Sequence, residues 1–355
     1  MRRIVQDGFG GTEQLRVETA GIPEPGTGQV SIRVGAVGVD RGTWHILTGT
    51  PPIGRLGFGL RRPRAAFRTP GRDVAGVIDA LGPGVCGWEV GERVHGTADG
   101  SLADYVVTSV DRIARPAPTL NLVEAAALPI SGLTAYQALR DAAVGPGQRV
   151  LVVGASGGVG HLAVQIAAAL GAHTSAVCRA ESADLMRALG ASQIIERTSA
   201  ALPTEAGPYD VVLDIASNRP RRELRALLTT RGTLVCIGTE AGGLTSGLHH
   251  SMAAALLNPF VSHRLVMHIS KELGSDLAEL DQLAEQSGVR PRVGHVVPFE
   301  RAAEAIDLVG SGRAVGKTVV EVDGALWQES LEARASVATS TPPGDSPSSR
   351  PAPLA

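Results

Sequence analysis

Between residues 149 and 237 short apolar runs alternate with amphipathic stretches, and no other feature of the chain constrains its fold so tightly. Val150-Leu151-Val152-Val153 has the unbroken, β-branched composition of a parallel strand buried on both faces. A glycine-rich turn follows, Gly154-Ala155-Ser156-Gly157-Gly158-Val159-Gly160, and behind it an apolar-periodic helix that stops at Gly171. The alternation resumes with strand 174–178, helix 182–189, strand 192–195, strand 210–214, helix 220–228 and strand 232–237, and a sixth strand is expected near 264–269. Strands separated by helices pair in parallel through right-handed crossovers, so the stretch predicts a doubly wound α/β sheet. A helix N-terminus behind the glycine turn offers unpaired N–H groups and the positive end of a dipole, which suits a pyrophosphate. At dinucleotide-fingerprint spacing the turn reads Ala155-x-Gly157-x-x-Gly160, with alanine replacing the first glycine. The expected cradle is therefore Gly154, Ala155, Ser156, Gly157, Gly158, Val159 and Gly160.

Charge narrows the partners. With 33 Lys and Arg against 35 Asp and Glu, the formal net charge is −2. Nothing in that balance favours nucleic acid or an anionic membrane. No apolar run reaches the roughly 18 residues of a membrane span, and Met1-Arg2-Arg3-Ile4 does not open a signal peptide. Cys86, Cys178 and Cys236 are too scattered for a disulfide framework, so a soluble, cytoplasmic chain is expected.

The flanks are of another kind. Residues 1–122 read as mostly β, with period-two alternation over Gln29–Val37 and Gly100–Val107 and a further strand from Asp73 towards Gly84. A longer segment from Ile46 to Thr69 carries Arg55, Arg61, Arg62 and Arg64; a loop of this length either serves function or is disordered. Asn121-x-x-Glu124 is a capping pair for a helix that Pro129 breaks. After a helix at 276–286, strands at 294–298 and 316–322 enclose a helix at 300–309 and match the N-terminal β material. The first domain is therefore expected to be discontinuous, residues 1–122 with 292–324, around a nucleotide domain at 123–291. Residues 325–355, rich in Ser, Thr, Pro and Ala, are expected to be disordered.

The second strand ends Val177-Cys178-Arg179, a cation where an NAD site places a ribose-binding acid. Arginine accepts a 2′-phosphate bidentately, whereas a carboxylate repels it. Arg179, with Arg197 after the third strand, therefore points to NADPH, although Glu181 stands close enough in sequence to compete. The residues closing the fifth strand, Ile237, Gly238 and Thr239, lie at the carboxyl edge where such sheets bind ligands and are expected beside the nicotinamide.

Four stretches together resemble the medium-chain dehydrogenase/reductase superfamily in its zinc-free quinone-oxidoreductase branch: Gly71-Arg72-Asp73-Val74-Ala75-Gly76, Ser131-Gly132-Leu133-Thr134-Ala135-Tyr136, Gly154–Gly160 and Gly316-Lys317. The resemblance spans residues 1 to about 322. It implies a GroES-like β-barrel domain beside a Rossmann domain, an active site in the cleft, a small-molecule hydride acceptor and a homodimer. Zinc-dependent relatives carry Gly-His-Glu where this chain has Gly71-Arg72-Asp73, followed by a four-cysteine lobe; here there is no Cys-x-x-Cys, so no metal site is expected. The histidine pairs His249-His250 and His263 with His268 are not read as ligands.

Without a Lewis acid, hydride must go to an acceptor that is already electrophilic, a quinone or an α,β-unsaturated carbonyl, and the protein supplies orientation, a donor and a proton. The family's Val-Asn-Pro segment reads Val39-Asp40-Arg41 here, and His45 falls at its aromatic donor position. Asp40 is open to two readings, an acid–base relay with His45 or a salt bridge to Arg41. Thr134 matches a position near the nicotinamide ribose, Tyr136 is expected to pack, and Lys317 is read either as a cofactor contact or as a solvated strand-end lysine. Two alternatives to the quinone or enone reductase stay open: a zinc-free alcohol/ketone oxidoreductase and a non-catalytic NADPH sensor.

Overall fold

The computed structural model describes residues 1–198, 200–216, 219–237 and 262–326. In chain order its strands are β1 (Arg2–Gln6), β2 (Leu15–Thr19), β3 (Gln29–Val39), β4 (Asp73–Leu81), β5 (Arg93–Thr97), β6 (Tyr105–Ser109) and β7 (Ile113–Ala114). There follow β8 (Arg149–Val153), β9 (His173–Cys178), β10 (Gln193–Glu196), β11 (Tyr209–Asp214), β12 (Leu228–Cys236), β13 (Arg264–Met267), β14 (Val293–Pro298) and β15 (Lys317–Glu321). The helices are α1 (Arg41–Thr48), α2 (Arg55–Phe58), α3 (Leu122–Ala127), α4 (Pro129–Asp141), α5 (Gly160–Ala169), α6 (Ala183–Ala188), α7 (Arg221–Ala226), α8 (Gly274–Ser287) and α9 (Ala302–Gly310).

Two compact units result, Met1–Leu133 with the described residues from Glu272 onward, and Thr134–Lys271. In the second unit the sheet order is β10-β9-β8-β11-β12-β13 and every pairing is parallel. Numbered along the chain this is 3-2-1-4-5-6, the doubly wound Rossmann order, whose direction reverses between β8 and β11. The fold class expected from the alternation is thus the one found. Leu151, Val153, Val177, Val212 and Leu234 of the strands pack with Leu224, Leu227 and Tyr209, all 8% exposed or less. Such a continuous apolar strand is what a sheet covered on both faces needs.

The first unit is a seven-stranded sheet ordered β14-β15-β3-β4-β5-β7, with β6 also pairing β3. All its pairings are antiparallel except β14 with β15. One face buries Val30, Ile32, Val34, Val74, Ile78 and Val94 against Leu47 of α1 and Phe299 and Ile306 next to and within α9. The other buries Ala36, Ala75 and Val319 under Leu122, Val123 and Ala126 of α3. The Asn121 side chain accepts from the Glu124 backbone amide at 2.8 Å and the Glu124 carboxylate accepts from the Asn121 backbone amide at 3.0 Å, completing the expected capping box.

Several boundaries differ from expectation. The units divide at 133 and 272 rather than at 122 and 292. Helix α3 spends its apolar side on β3, β4 and β15, and α8 holds Asp281 against His95, so both belong with the β unit. Pro129 does not merely end α3 but begins α4, where the missing N–H costs nothing. Residues 100–104, expected as strand, instead close a turn on residues 70–71, with Gly100 donating to the Gly71 carbonyl and Leu102 to that of Pro70. Leu326, expected to lie in a disordered tail, is 5% exposed and packs with Leu122; the rest of that tail lies outside the described residues.

Candidate active site

The glycines of the turn meet different demands. Gly154 follows β8 with φ +88°, a left-handed conformation that a β-carbon disfavours, and its Cβ position is 3.1 Å from Ala216, just after β11. The turn therefore sits at the switch point between β8 and β11. Gly160, the first residue of α5, would place a Cβ 2.2 Å from the Gly154 carbonyl, so helix and strand pack too closely for a side chain. Gly157 needs neither excuse: its backbone is not left-handed, and a Cβ would meet only the Gly154 carbonyl, at 3.5 Å. The protein itself does not require glycine there. A ligand approaching the backbone would, and that is the demand a pyrophosphate makes of the middle fingerprint glycine. Ala155 is fully buried, its amide donating to the Val177 carbonyl at 3.0 Å, so alanine at the first position faces inward and does not obstruct the cradle. Ser156, Gly158 and Val159 complete the turn, and Val159 precedes α5 with no side-chain cap on its N-terminus.

The two predicted arginines follow the carboxyl ends of the neighbouring strands β9 and β10. The Arg197 amide donates to the carbonyl of Cys178 at 2.6 Å, so Arg197 stands beside the residue immediately preceding Arg179. Arg179 leads a 3₁₀ turn, Ala180–Ser182, that carries the exposed Glu181. Ile237 continues β12 by donating to the Asp214 carbonyl at 2.9 Å. Gly238, Thr239 and the His249-His250 pair lie outside the described residues. Thr134 is buried and donates to Ser270 Oγ at 3.1 Å, while Tyr136 packs in the interior as expected.

In the β unit, Asp40 caps α1: its Oδ1 accepts from the Thr43 amide at 2.7 Å and from Thr43 Oγ1 at 3.1 Å. The relay expected between Asp40 and His45 is not formed, because the carboxylate is engaged at the helix start, a turn away. Arg41 is engaged elsewhere too. Its guanidinium donates to the Val309 and Gly310 carbonyls at 2.8 and 2.7 Å and lies 4.6 Å from the Trp44 ring, a cation closing the C-terminus of α9. His45 is half-buried, and its Nδ1 is buried without a partner among the described residues. Burial first, and Arg41 second, hold its pKa below the ordinary 6.5. A neutral imidazole with one nitrogen uncommitted is left ready for a ligand.

Three of the recurring motifs meet inside this unit, which the linear pattern did not reveal. Lys317 Nζ lies 2.8 Å from Asp73 Oδ2 and 3.2 Å from Ser131 Oγ, and Asp73 Oδ1 accepts from the Ile130 amide at 2.7 Å. Both charges are buried, at 1% and 0% side-chain exposure. Of the two readings of Lys317, the solvated strand end gives way to this pair, since a buried ammonium places its donors where the counter-charge is. Burial pushes Asp73 up to about 6 against the pull of Lys317, with Asp40 adding to the rise. Arg72, in the same motif, pairs with Asp99 and Glu272. A second buried pair, His95 Nε2 to Asp281 Oδ2 at 2.7 Å, had no signal in the sequence. Among the described residues no three His, Cys, Asp or Glu side chains are grouped to hold a metal, and no helix is long and apolar enough to cross a membrane. His263 takes a bond from Arg225 and His268 one with Asp141.

Comparison with known proteins accords with this geometry. The family model for the alcohol dehydrogenase GroES-like domain matches residues 26–118, and that for zinc-binding dehydrogenases matches residues 189–320. A chloroplastic quinone oxidoreductase of Triphysaria versicolor is 30% identical over 338 residues, covering 90% of this chain and 98% of its own. The quinone oxidoreductase of Rattus norvegicus is 31% identical over 333 residues, covering 90% and 97%. Among solved structures, one titled as an NAD-dependent alcohol dehydrogenase superposes with a TM-score of 0.78 at 27% identity, covering 91% of this chain and 100% of the other. The chain is an oxidoreductase and belongs to the medium-chain dehydrogenase/reductase superfamily, in its quinone-oxidoreductase-like branch.

Proposed function

We propose that this protein is a zinc-independent, NADPH-dependent reductase that passes hydride to a quinone or an α,β-unsaturated carbonyl. The observation that carries the reading is what occupies the Gly71-Arg72-Asp73 segment. Where zinc-dependent relatives place ligands, Arg72 is paired with Asp99 and Glu272, and Asp73 is buried against Lys317. Residues so committed favour chemistry without a Lewis acid, and hence an acceptor that is already electrophilic. The likeness to quinone oxidoreductases supports the same acceptor class.

A dinucleotide fits the chain's own residues. The open face of Gly157 and the uncapped start of α5 would take the pyrophosphate, and Arg179 with Arg197 would take the 2′-phosphate. Thr134, Ile237, Gly238 and Thr239 are proposed to line the nicotinamide end. The bound nicotinamide supplies the hydride. His45 is proposed as the group that donates a hydrogen bond to the acceptor oxygen as it gains negative charge, with the proton that completes the reduction taken from solvent water; Asp40 fixes the helix that carries it. The active form is proposed to be a homodimer in the cytoplasm.

NADPH and NADH oxidation against a panel of quinones, enones and simple ketones tests the proposal. Turnover of quinones or enones with NADPH, undiminished by a zinc chelator, is expected. Turnover confined to ketones, or tight NADPH binding with no turnover, would replace the reading with an alcohol/ketone oxidoreductase or a sensor respectively.

A further inference from the structure

Residues 41–72 hold seven of the chain's 33 cationic side chains and none of its 35 anionic ones. Three of the seven arginines are consumed by the fold. Arg41 closes α9, Arg68 pairs with Asp7 and Glu18, and Arg72 pairs with Asp99 and Glu272. The other four, Arg55, Arg61, Arg62 and Arg64, all lie in the loop between α1 and β4 and meet no carboxylate among the described residues. Arg55 donates to the Gly49 carbonyl and stacks on Phe9, and Arg64 donates to the Leu56 carbonyl.

The loop is built, not slack. Buried Gln6 clasps both of its ends, with Nε2 reaching the Ile46 and Phe67 carbonyls at 3.3 Å each and its amide donating to the Arg68 carbonyl. Its first residues are stitched to the helix of His45, Thr50 donating to the His45 carbonyl. The tip is closed by the Arg64 amide on the Phe58 carbonyl at 2.8 Å, across Gly59 at φ +128°. Any side chain at Gly59 would strike the Arg62 carbonyl, so Leu60, Arg61 and Arg62 are presented on a tip of set shape. Beside the exposed guanidiniums stand Leu56 and Leu60, 65% and 68% exposed. Guanidinium forks in an acid-free setting recognise phosphate, sulfonate or carboxylate bidentately, and exposed leucines next to them suit an apolar body.

We propose that this loop is an anion-recognition site that selects hydride acceptors combining an apolar body with an anionic group. The proposal rests on the reductase reading above and adds to it the substrate class. Its test compares 1,4-naphthoquinone with 1,4-naphthoquinone-2-sulfonate in the NADPH-loaded enzyme, for wild type, Arg61→Gln/Arg62→Gln, the charge-keeping Arg61→Lys/Arg62→Lys and, as a control outside the loop, Arg231→Gln on β12. In the glutamine variant kcat/KM for the sulfonate is expected to fall about tenfold relative to the neutral quinone, the scale of losing charge-assisted bonds. The lysine variant should recover part of that loss, and Arg231→Gln should leave the ratio unchanged. A ratio unaltered in the glutamine variant overturns the proposal while leaving quinone reduction standing. Calorimetric binding of 2-naphthalenesulfonate, which accepts no hydride, separates the two ideas. If neither quinone is reduced, the reductase reading fails, and weaker sulfonate binding in the glutamine variant still upholds the anion site; unchanged binding removes it.

Discussion

Replacing Lys317 by Met leaves Asp73 buried with its counter-charge gone. Removing one partner of a buried ion pair typically costs ~3–5 kcal/mol, because the remaining charge is neither solvated nor paired. The local geometry argues for that range: Asp73 is fully buried, and its carboxyl already sits near 6 instead of 3.8 with Lys317 present. A folded-state pKa raised above the unfolded value favours the native state below about pH 3.8, and that contribution is lost as pH rises through about 6. Without Lys317 the folded pKa climbs further, so the penalty of Lys317→Met grows with pH. At pH 8 thermal unfolding is expected to drop by about 6–20 °C, taking ~2–4 °C per kcal/mol for a domain of roughly 150–250 residues. At pH 5, where Asp73 is protonated in the variant, most of that drop should vanish. Asp73→Asn/Lys317→Met keeps an acceptor for the Ile130 amide and removes both charges, so it should be more stable at pH 8 than the single variant. Equal losses at pH 5 and pH 8, or a double variant no better than the single, would refute the electrostatic account.

The glycine turn yields a contrast between two small changes. Gly157→Ala should leave the melting temperature of the cofactor-free protein within about 1 °C while weakening NADPH binding at least tenfold by calorimetry; Gly160→Ala should unfold the protein earlier, since its Cβ meets the Gly154 carbonyl. Arg179→Ala is expected to raise the Kd for NADPH by about 10–100-fold, the ~1.5–3 kcal/mol of hydrogen bonds to a charged group, with little change for NADH. His95→Gln should destabilise the protein at pH 6 more than at pH 9: although burial opposes its charge, Asp281 and the Ala125 carbonyl raise His95 above its ordinary 6.5, so its contribution is present below 6.5 and lost as pH rises through the folded value. Thermal shifts across that pH range measure it.

Local chemistry made much of this protein legible from its residues alone. Uninterrupted apolar runs between glycines dictate parallel strands and their crossovers, so a doubly wound sheet over β8 to β13 is legible without any contact, while the strand order comes from the structure. The shape of the glycine-rich turn after β8 is readable for the same reason, because the interactions that form it lie within a few residues along the chain. Asp40 carries a local signal of another kind: an Asp three residues before Thr43 at a helix start fits an N-cap, whereas the family pattern draws attention to catalysis. What only the tertiary structure decided lies at long range. Asp73, Ser131 and Lys317 are spread over 244 residues and meet in one buried pair, as His95 and Asp281 do over 186. No sequence period encodes such meetings. They follow from which sheet faces are covered, and burial then decides whether a lysine is a solvated strand end or the counter-charge of a carboxylate that water cannot reach.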